Sequence, residues 1–478
     1  MNEILKNTVN DLRKKICSGE IKSVDAVNAC YERINEIEPK VKAFLKLNKE
    51  QALKQAAESD NKIKTGAKCG MLEGVPIAVK DNIMIKGESM TSASKYFENY
   101  ISPYDAAVIE KLKEAGAVFI GRTNMDELAM GGTTETSAFQ KTANPCNFDY
   151  VPGGSSGGSA AAVSAGMVPF ALGSDTGGSI RQPAAFCGVV GFKPSYGVVS
   201  RYGACALASS FDQIGTLSKN VKDTAMLLSV IAGKDYRDPV CEPAEMTDYT
   251  QGLDDYTLKK TKIGVPKQLK DYSADLEIIK SFENALRGLE LGGAEIIEID
   301  IPAYKYAPSV YDVIMCAEVS ANIAAFDGIR YGHGSPNGAG LNDTYMKSRG
   351  ESFGYEVKKR VIFGTYALSA KNYNRYFHTA QKVRTLLINQ LNAAFEKCDA
   401  IFSPTTLHMP VKFGESVSRE CDIFTMVSNL GGLPGISVPC GMSKSGMPIG
   451  VHFTGPRLSD ARILKIANAY EKTAMMNK

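Results

Sequence analysis

Two clusters of small, hydroxyl-bearing residues stand close together in this 478-residue chain. VPGGSSGGSA covers positions 151 to 160, and GSDTGGSIRQP covers 173 to 183. Glycine-rich loops that open a helix offer bare backbone N–H groups to anions. A phosphate-binding P-loop needs Lys after its last glycine, whereas Ser159 and Ala160 follow Gly158. Dinucleotide-loop glycine spacing is absent from both clusters. The chemistry that remains is that of a serine hydroxyl activated by a base.

Histidine is the usual base. Gly153 to Gly157 satisfy G-x-S-x-G, the nucleophile elbow of Ser/His/Asp hydrolases. That elbow follows a buried strand, but CNFDYVP carries Pro152 and no apolar run. None of the four histidines, His333, His378, His408 and His452, lies in an obviously catalytic loop. Lysine can serve instead when burial strips the water that stabilises its ammonium and lowers its pKa toward neutrality. GVPIAVKDNI (74 to 83) ends a β-like run of Val75, Ile77 and Val79 on Lys80, where burial is expected. A lysine at a strand end equally snorkels into solvent, and turn serines are commonly structural. The residues alone leave both readings open.

The elements that must position these groups follow from periodicity. Leu5, Val9, Leu12 and Ile16 recur at helical spacing, as do Val24, Val27, Tyr31 and Ile34 after a Ser23 N-cap, up to Pro39. Residues 1 to 70 therefore read as an N-terminal helical arm, and 71 to 478 as one large unit. Short β-rich runs at 74 to 80, 117 to 124, 262 to 266, 295 to 302, 436 to 441 and 449 to 455 alternate with helix-like stretches. That alternation predicts an α/β layered fold around one sheet. The polar, proline-bearing stretch 234 to 255 reads as a surface excursion.

With 55 basic against 52 acidic residues, the net charge of +3 offers no global field for nucleic acid or anionic membrane. The eleven cysteines are scattered, with no pair or Cys/His cluster at zinc spacing, and read as reduced cytosolic thiols with no metal site. The first residues lack a signal-peptide core. The small-apolar stretch Ala160 to Leu172 falls short of the ~20 residues a membrane helix needs. A cytoplasmic protein without membrane contact is expected.

Taken together, GVPIAVKDNI, GRTNMDELAMGG (121 to 132), NPCNFDYVPGGSSGGSAAAV (144 to 163), GSDTGGSIRQPAAFCGVVGFKPSYGVVSRYG (173 to 203) and GLPGISVPCG (432 to 441) resemble the amidase signature family over nearly the whole chain. TNMDELAMGGTTETSAF, FDGIRYG (326 to 332) and FGTYALSAKNY (363 to 373) are most similar to the glutaminase subunits of tRNA-dependent amidotransferases. Arg122, Leu128 and Gly432 depart from the Lys, Phe and Ala of many relatives.

The resemblance implies a large, mostly mixed sheet covered by helices on both faces. It also implies a Ser, cis-Ser, Lys triad: Ser179 as nucleophile, Ser155 as bridging serine with a cis peptide bond beside it, and Lys80 as base. An oxyanion hole would come from the N–H groups of Thr176, Gly177, Gly178 and Ser179. Arg360 and Asp422 would hold the α-carboxylate and α-ammonium of glutamine. Asp175 and Arg181, flanking the nucleophile, are expected to form a buried ion pair. Ser156 and Ser159 are expected to bond backbone groups at the helix start, and Asp81 and Asn82 to orient the strand end. The implied assembly is a heterotrimer. Its B subunit would handle ATP, Mg2+ and misacylated tRNA (Glu-tRNA(Gln), in some organisms Asp-tRNA(Asn)), and a small C subunit would wrap the junction. This chain itself would need no cofactor. A free-standing amidase with the same triad is the alternative.

Overall fold

The computed structural model describes residues 2–243, 248–418 and 420–476. Eleven strands run in chain order: β1 Phe44–Leu47, β2 Pro76–Lys80, β3 Val118–Thr123, β4 Phe170–Asp175, β5 Val190–Lys193, β6 Gln213–Ser218, β7 Lys262–Pro266, β8 Glu295–Ile299, β9 Ala400–Pro404, β10 Gly435–Met442 and β11 Pro448–Thr454. They form one sheet in the order β1-β3-β2-β4-β6-β5-β10-β11-β9-β7-β8. β2 runs parallel to both β3 and β4, and β7 parallel to β8 and β9, while the other neighbours are antiparallel. The sheet is therefore mixed, as expected.

Strand alternation sends successive side chains to opposite faces. Ile77 and Val79 join one core with Phe170 and Leu172, under the helices Val9–Cys17, Val221–Ile231 and Asp460–Met476. Ala78 and Ala171 face the other core, with the helices Ser23–Val41, Gly157–Ser164 and Arg181–Cys187. Burial on both faces explains why PIAVK and VFIGRT read as continuous apolar runs. A third cluster packs the helices Ala307–Asn322 and Ile423–Leu430 with Phe353 and Val357.

Three expectations need correction. The first seventy residues are not all helical, because β1 extends the sheet antiparallel to β3, and an unpaired strand edge recruits even a short FLKL segment. Ser23 is not a cap: the Asp60 carboxylate accepts the Ser23 and Val24 N–H groups at 2.7 and 3.2 Å, freeing the Ser23 hydroxyl to bond Gly74 O at 2.8 Å. The stretch 234 to 255 is anchored rather than a plain excursion, since Asp238 pairs with Arg201 at 2.9 Å and Cys241, Tyr249 and Leu253 are buried. Its residues 244–247 lie outside the described residues.

Among the described residues, no helix is long and apolar enough to cross a membrane, and no cluster of His, Cys, Asp and Glu could hold a metal ion. All eleven cysteines are free thiols.

Candidate active site

Because β2, β3 and β4 are parallel, their carboxyl ends share one edge of the sheet, where loops of an open α/β sheet build a site. Lys80 ends β2 and Asp175 ends β4. The first serine cluster enters the helix Gly157–Ser164 at the same edge. Gly158 makes this approach possible, because a Cβ there would sit 2.3 Å from Asn124 O. The Ser156 N–H donates to Ser179 O at 3.0 Å, tying the two clusters together.

Lys80 is wholly buried. Its Nζ lies 2.8 Å from Ser155 Oγ, 2.8 Å from Ser156 Oγ, 2.9 Å from Ser174 Oγ and 3.3 Å from Ser174 O. Burial lowers its pKa to about 7, against the pull of Asp126, Asp175 and Asp212 toward the charged form. Burial thereby favours the neutral amine. A neutral amine has two N–H donors and one lone pair. Ser156 donates its own hydrogen to Ser174 O at 3.0 Å, so it accepts from Lys80. Only Ser155 and Ser174 retain a hydroxyl hydrogen for the lone pair. Of these, Ser155 adjoins the Ser179 cavity, which its neighbour Gly154 lines. The Gly154–Ser155 peptide bond is cis.

The strand end is held as the sequence suggests. Asp81 accepts Arg122 Nε at 3.1 Å and the Thr91 N–H at 2.9 Å, and Arg122 also donates to Ile83 O. Asn82 Nδ2 donates to Ser174 Oγ at 2.9 Å. Ser156 and Ser159 bond backbone groups as expected, but those of β4 rather than of their own helix start: Ser156 donates to Ser174 O at 3.0 Å besides meeting Lys80, and Ser159 donates to Leu172 O at 2.9 Å and lies 2.6 Å from Thr123 Oγ1.

The loop after β4 is built around a buried bidentate pair. Arg181 Nε and Nη2 reach Asp175 Oδ2 and Oδ1 at 3.0 and 2.9 Å, both residues having no exposure. Burial works against the Asp175 charge, but the Arg181 guanidinium outweighs it and holds the carboxyl well below the usual range. Asp175 also accepts the N–H groups of Gly178 and Ile180 at 2.9 and 3.0 Å. The oxyanion expectation is corrected for Gly178, whose N–H is already engaged. Among the described residues, the N–H groups of Thr176, Gly177 and Ser179 have no such partner. Gly178 itself has φ +139°, and a Cβ would meet Thr425 Oγ1 at 2.4 Å.

Gly177, Gly178 and Ser179 line a cavity of about 640 Å3 together with Tyr311, Arg360 and Asp422. Arg360 rises from the helix Tyr355–Leu368 and lies 3.7 Å from Glu356. Asp422 meets Gln182 Nε2 at 3.5 Å through Oδ2, while its buried Oδ1 has no partner among the described residues. Burial, then the nearby Asp175, raises its pKa to about 7.

No histidine rivals Lys80. His452 is buried in β11 with Nε2 3.1 Å from Arg181 Nη1, and since guanidinium only donates, the ring is neutral there. His333 pairs with Glu351, His408 lies 3.6 Å from Asp275, and His378 ends the π-helical segment Asn374–His378. Sequence reasoning missed Ser174 and Tyr311. Ser174 sits inside a quoted segment but meets Lys80 across 94 positions, and Tyr311 carries no motif at all.

The amidase family model matches residues 25–464. The A subunit of glutamyl-tRNA(Gln) amidotransferase from Endomicrobium trichonymphae is 70% identical over 99% of this chain and 98% of that relative. The protein of the same name from Fusobacterium nucleatum is 48% identical over 98% of this chain and 97% of its own length. The crystal structure of the corresponding A subunit from Thermotoga maritima superposes with a TM-score of 0.81 at 39% identity, covering 99% of this chain and 96% of that one.

Proposed function

The chain belongs to the amidase family, and on that premise we propose that it is the glutaminase subunit of a glutamyl-tRNA(Gln) amidotransferase, hydrolysing glutamine to supply ammonia for conversion of Glu-tRNA(Gln) to Gln-tRNA(Gln). The observation that carries this reading is a buried lysine among three hydroxyls beside a cavity holding one guanidinium and one unpartnered carboxylate oxygen. Glutamine supplies the matching α-carboxylate and α-ammonium.

In this mechanism neutral Lys80 takes the Ser155 proton while Ser155 takes that of Ser179. Ser179 Oγ attacks the side-chain carbonyl, and the oxyanion meets the N–H groups of Thr176, Gly177 and Ser179, each such donor contributing ~3 kcal/mol. Collapse breaks the C–N bond, and the proton returns through Ser155 to the leaving ammonia. Water then attacks acyl-Ser179 as its proton passes through Ser155 to Lys80, the bond between the acyl carbon and Ser179 Oγ breaks, that proton returns through Ser155 to Ser179 Oγ, and glutamate leaves. Activation of the tRNA-bound carboxylate by ATP and Mg2+ belongs to a partner B subunit, with a C subunit completing a cytoplasmic heterotrimer. This chain contributes no cofactor.

The test is ammonia release from glutamine, by the chain alone and with its partner subunits, in wild type and Ser179→Ala. Release that depends on Ser179 and rises with partners and misacylated tRNA is expected. Silence on glutamine in every combination, with turnover of simple amides, would assign the protein to the free-standing amidases instead.

A further inference from the structure

Asp126 and Glu127 lie in the TNMDEL segment yet contribute no group to the chemistry above. A continuous chain of hydrogen bonds nevertheless runs through them from the bridging serine to the substrate wall. The Asp126 N–H donates to Ser155 O at 3.3 Å. Thr136 Oγ1 donates to Asp126 Oδ1 at 2.8 Å and accepts the Glu127 N–H at 3.0 Å. The Glu127 carboxylate, only 2% exposed, accepts Ser94 Oγ at 2.6 Å and, through Oε2, the N–H of Gly354 at 2.8 Å. Gly354 is the N-cap of the helix Tyr355–Leu368, which carries Arg360 and Phe363 into the cavity wall.

The body of that helix packs along Ala307–Asn322, and its start is held by Phe353 against the Tyr96 and Phe326 rings, by buried Val357 and by Lys358 Nζ on Gly350 O at 2.7 Å, while Tyr355 and Lys359 are exposed. A buried carboxylate there satisfies an otherwise orphaned N–H and complements the positive end of the helix dipole. Directly after Glu127, Leu128 and Ala129 take φ of +50° and +62°. Non-glycine residues adopt this left-handed region only where the surroundings enforce it, so the bend that presents Glu127 to the helix is itself held in place.

We propose that Glu127 is a positioning residue, which tethers the start of the Tyr355–Leu368 helix and thereby places Arg360 for the α-carboxylate of the substrate. The proposal rests on glutamine being the substrate and Arg360 its carboxylate partner. Guanidinium and carboxylate must meet in a fixed planar geometry, so loss of the tether weakens binding of glutamine while leaving the Ser179 chemistry intact.

The experiment uses the chain assembled with its partner subunits and compares wild type, Glu127→Gln, Glu127→Ala and Gly354→Ala. An alanine Cβ at 354 would sit 2.4 Å from Glu127 Oε2, so that variant disturbs the same contact from the helix side. Glutamine KM is expected to rise about tenfold in Glu127→Ala and less in the other two, with kcat within about threefold. Labelling of Ser179 by a small fluorophosphonate, which has no α-carboxylate, should keep its rate within about twofold. Gly354→Ala should add nothing in the Glu127→Ala background. An unchanged KM in Glu127→Ala overturns the proposal, as does labelling that falls in step with kcat/KM. Should Glu127→Ala fail to fold, the KM and labelling rate of Gly354→Ala decide by the same criteria. Wild type inactive on glutamine would instead refute the substrate reading, and the proposal with it.

Discussion

Two lysines of this molecule look alike until their partners are compared. Lys80 ends β2 and Lys193 ends β5; both are buried, and burial pushes both down to about 7. Lys80 meets three hydroxyls. Lys193 donates to two backbone carbonyls, Pro194 O at 2.8 Å and Leu433 O at 2.6 Å. A carbonyl only accepts, whereas a hydroxyl also has a hydrogen to give. A lowered pKa therefore makes an amine available, and a neighbour able to surrender a proton makes it a base. Lys193 has the first property without the second, and its role is to clamp β5 to the segment before β10.

The largest effect that tests this contrast is deletion of each amine. Lys80→Met should reduce glutamine hydrolysis by on the order of 10^3-fold or more, measured per folded chain. Lys193→Met should keep activity within about tenfold, yet lose about 1 to 3 kcal/mol for each carbonyl left unsatisfied, read as a lower denaturant midpoint. Equal loss of activity in both variants would break the comparison.

Next come the hydroxyls. Ser155→Ala should cost about 10^2- to 10^4-fold in kcat, because Ser155 relays the proton. Ser156→Ala should cost about tenfold or less, since its hydrogen is committed to Ser174 O. The reverse order in single-turnover rates would make Ser156 the relay.

The smallest effect is a pH profile. The neutral amine is the active form, so kcat falls about tenfold per unit as pH drops below about 7 and Lys80 becomes charged. Asp422 must be ionised to receive the substrate ammonium, and its pKa in the empty site is also about 7, so kcat/KM should fall more steeply than kcat. Lys193→Met should leave both limbs where they are. A limb that moves in that variant would assign the titration to the wrong lysine.

Much of the site was readable before the fold. An apolar run ending in a charge made Lys80 a candidate that the family resemblance then singled out, and the Asp175–Arg181 pair was expected from two opposite charges flanking the serine that the same resemblance marked. β4 was hidden because its Phe170 and Leu172 face one core while Ala171 and Gly173 leave room for a small-residue helix on the other, so FALGSD lacks a continuous apolar run. β1 was hidden because its pairing partner, not its composition, makes it a strand. The Gly178 N–H read as an oxyanion donor until Asp175, three residues earlier, was seen to occupy it.

By itself the sequence determined the inventory: which residue could be a base, which loops had the glycines to approach one another, and which strands had to be covered on both faces. Those are properties of side chains and near neighbours, and they survive without coordinates. The tertiary structure alone decided that Ser174, 94 positions from Lys80, completes its coordination, and that Arg360 and Asp422 line one cavity with Ser179. Such contacts arise where parallel strand ends and distant helices converge on one edge of the sheet, and no periodicity along the chain encodes a distance between segments so far apart.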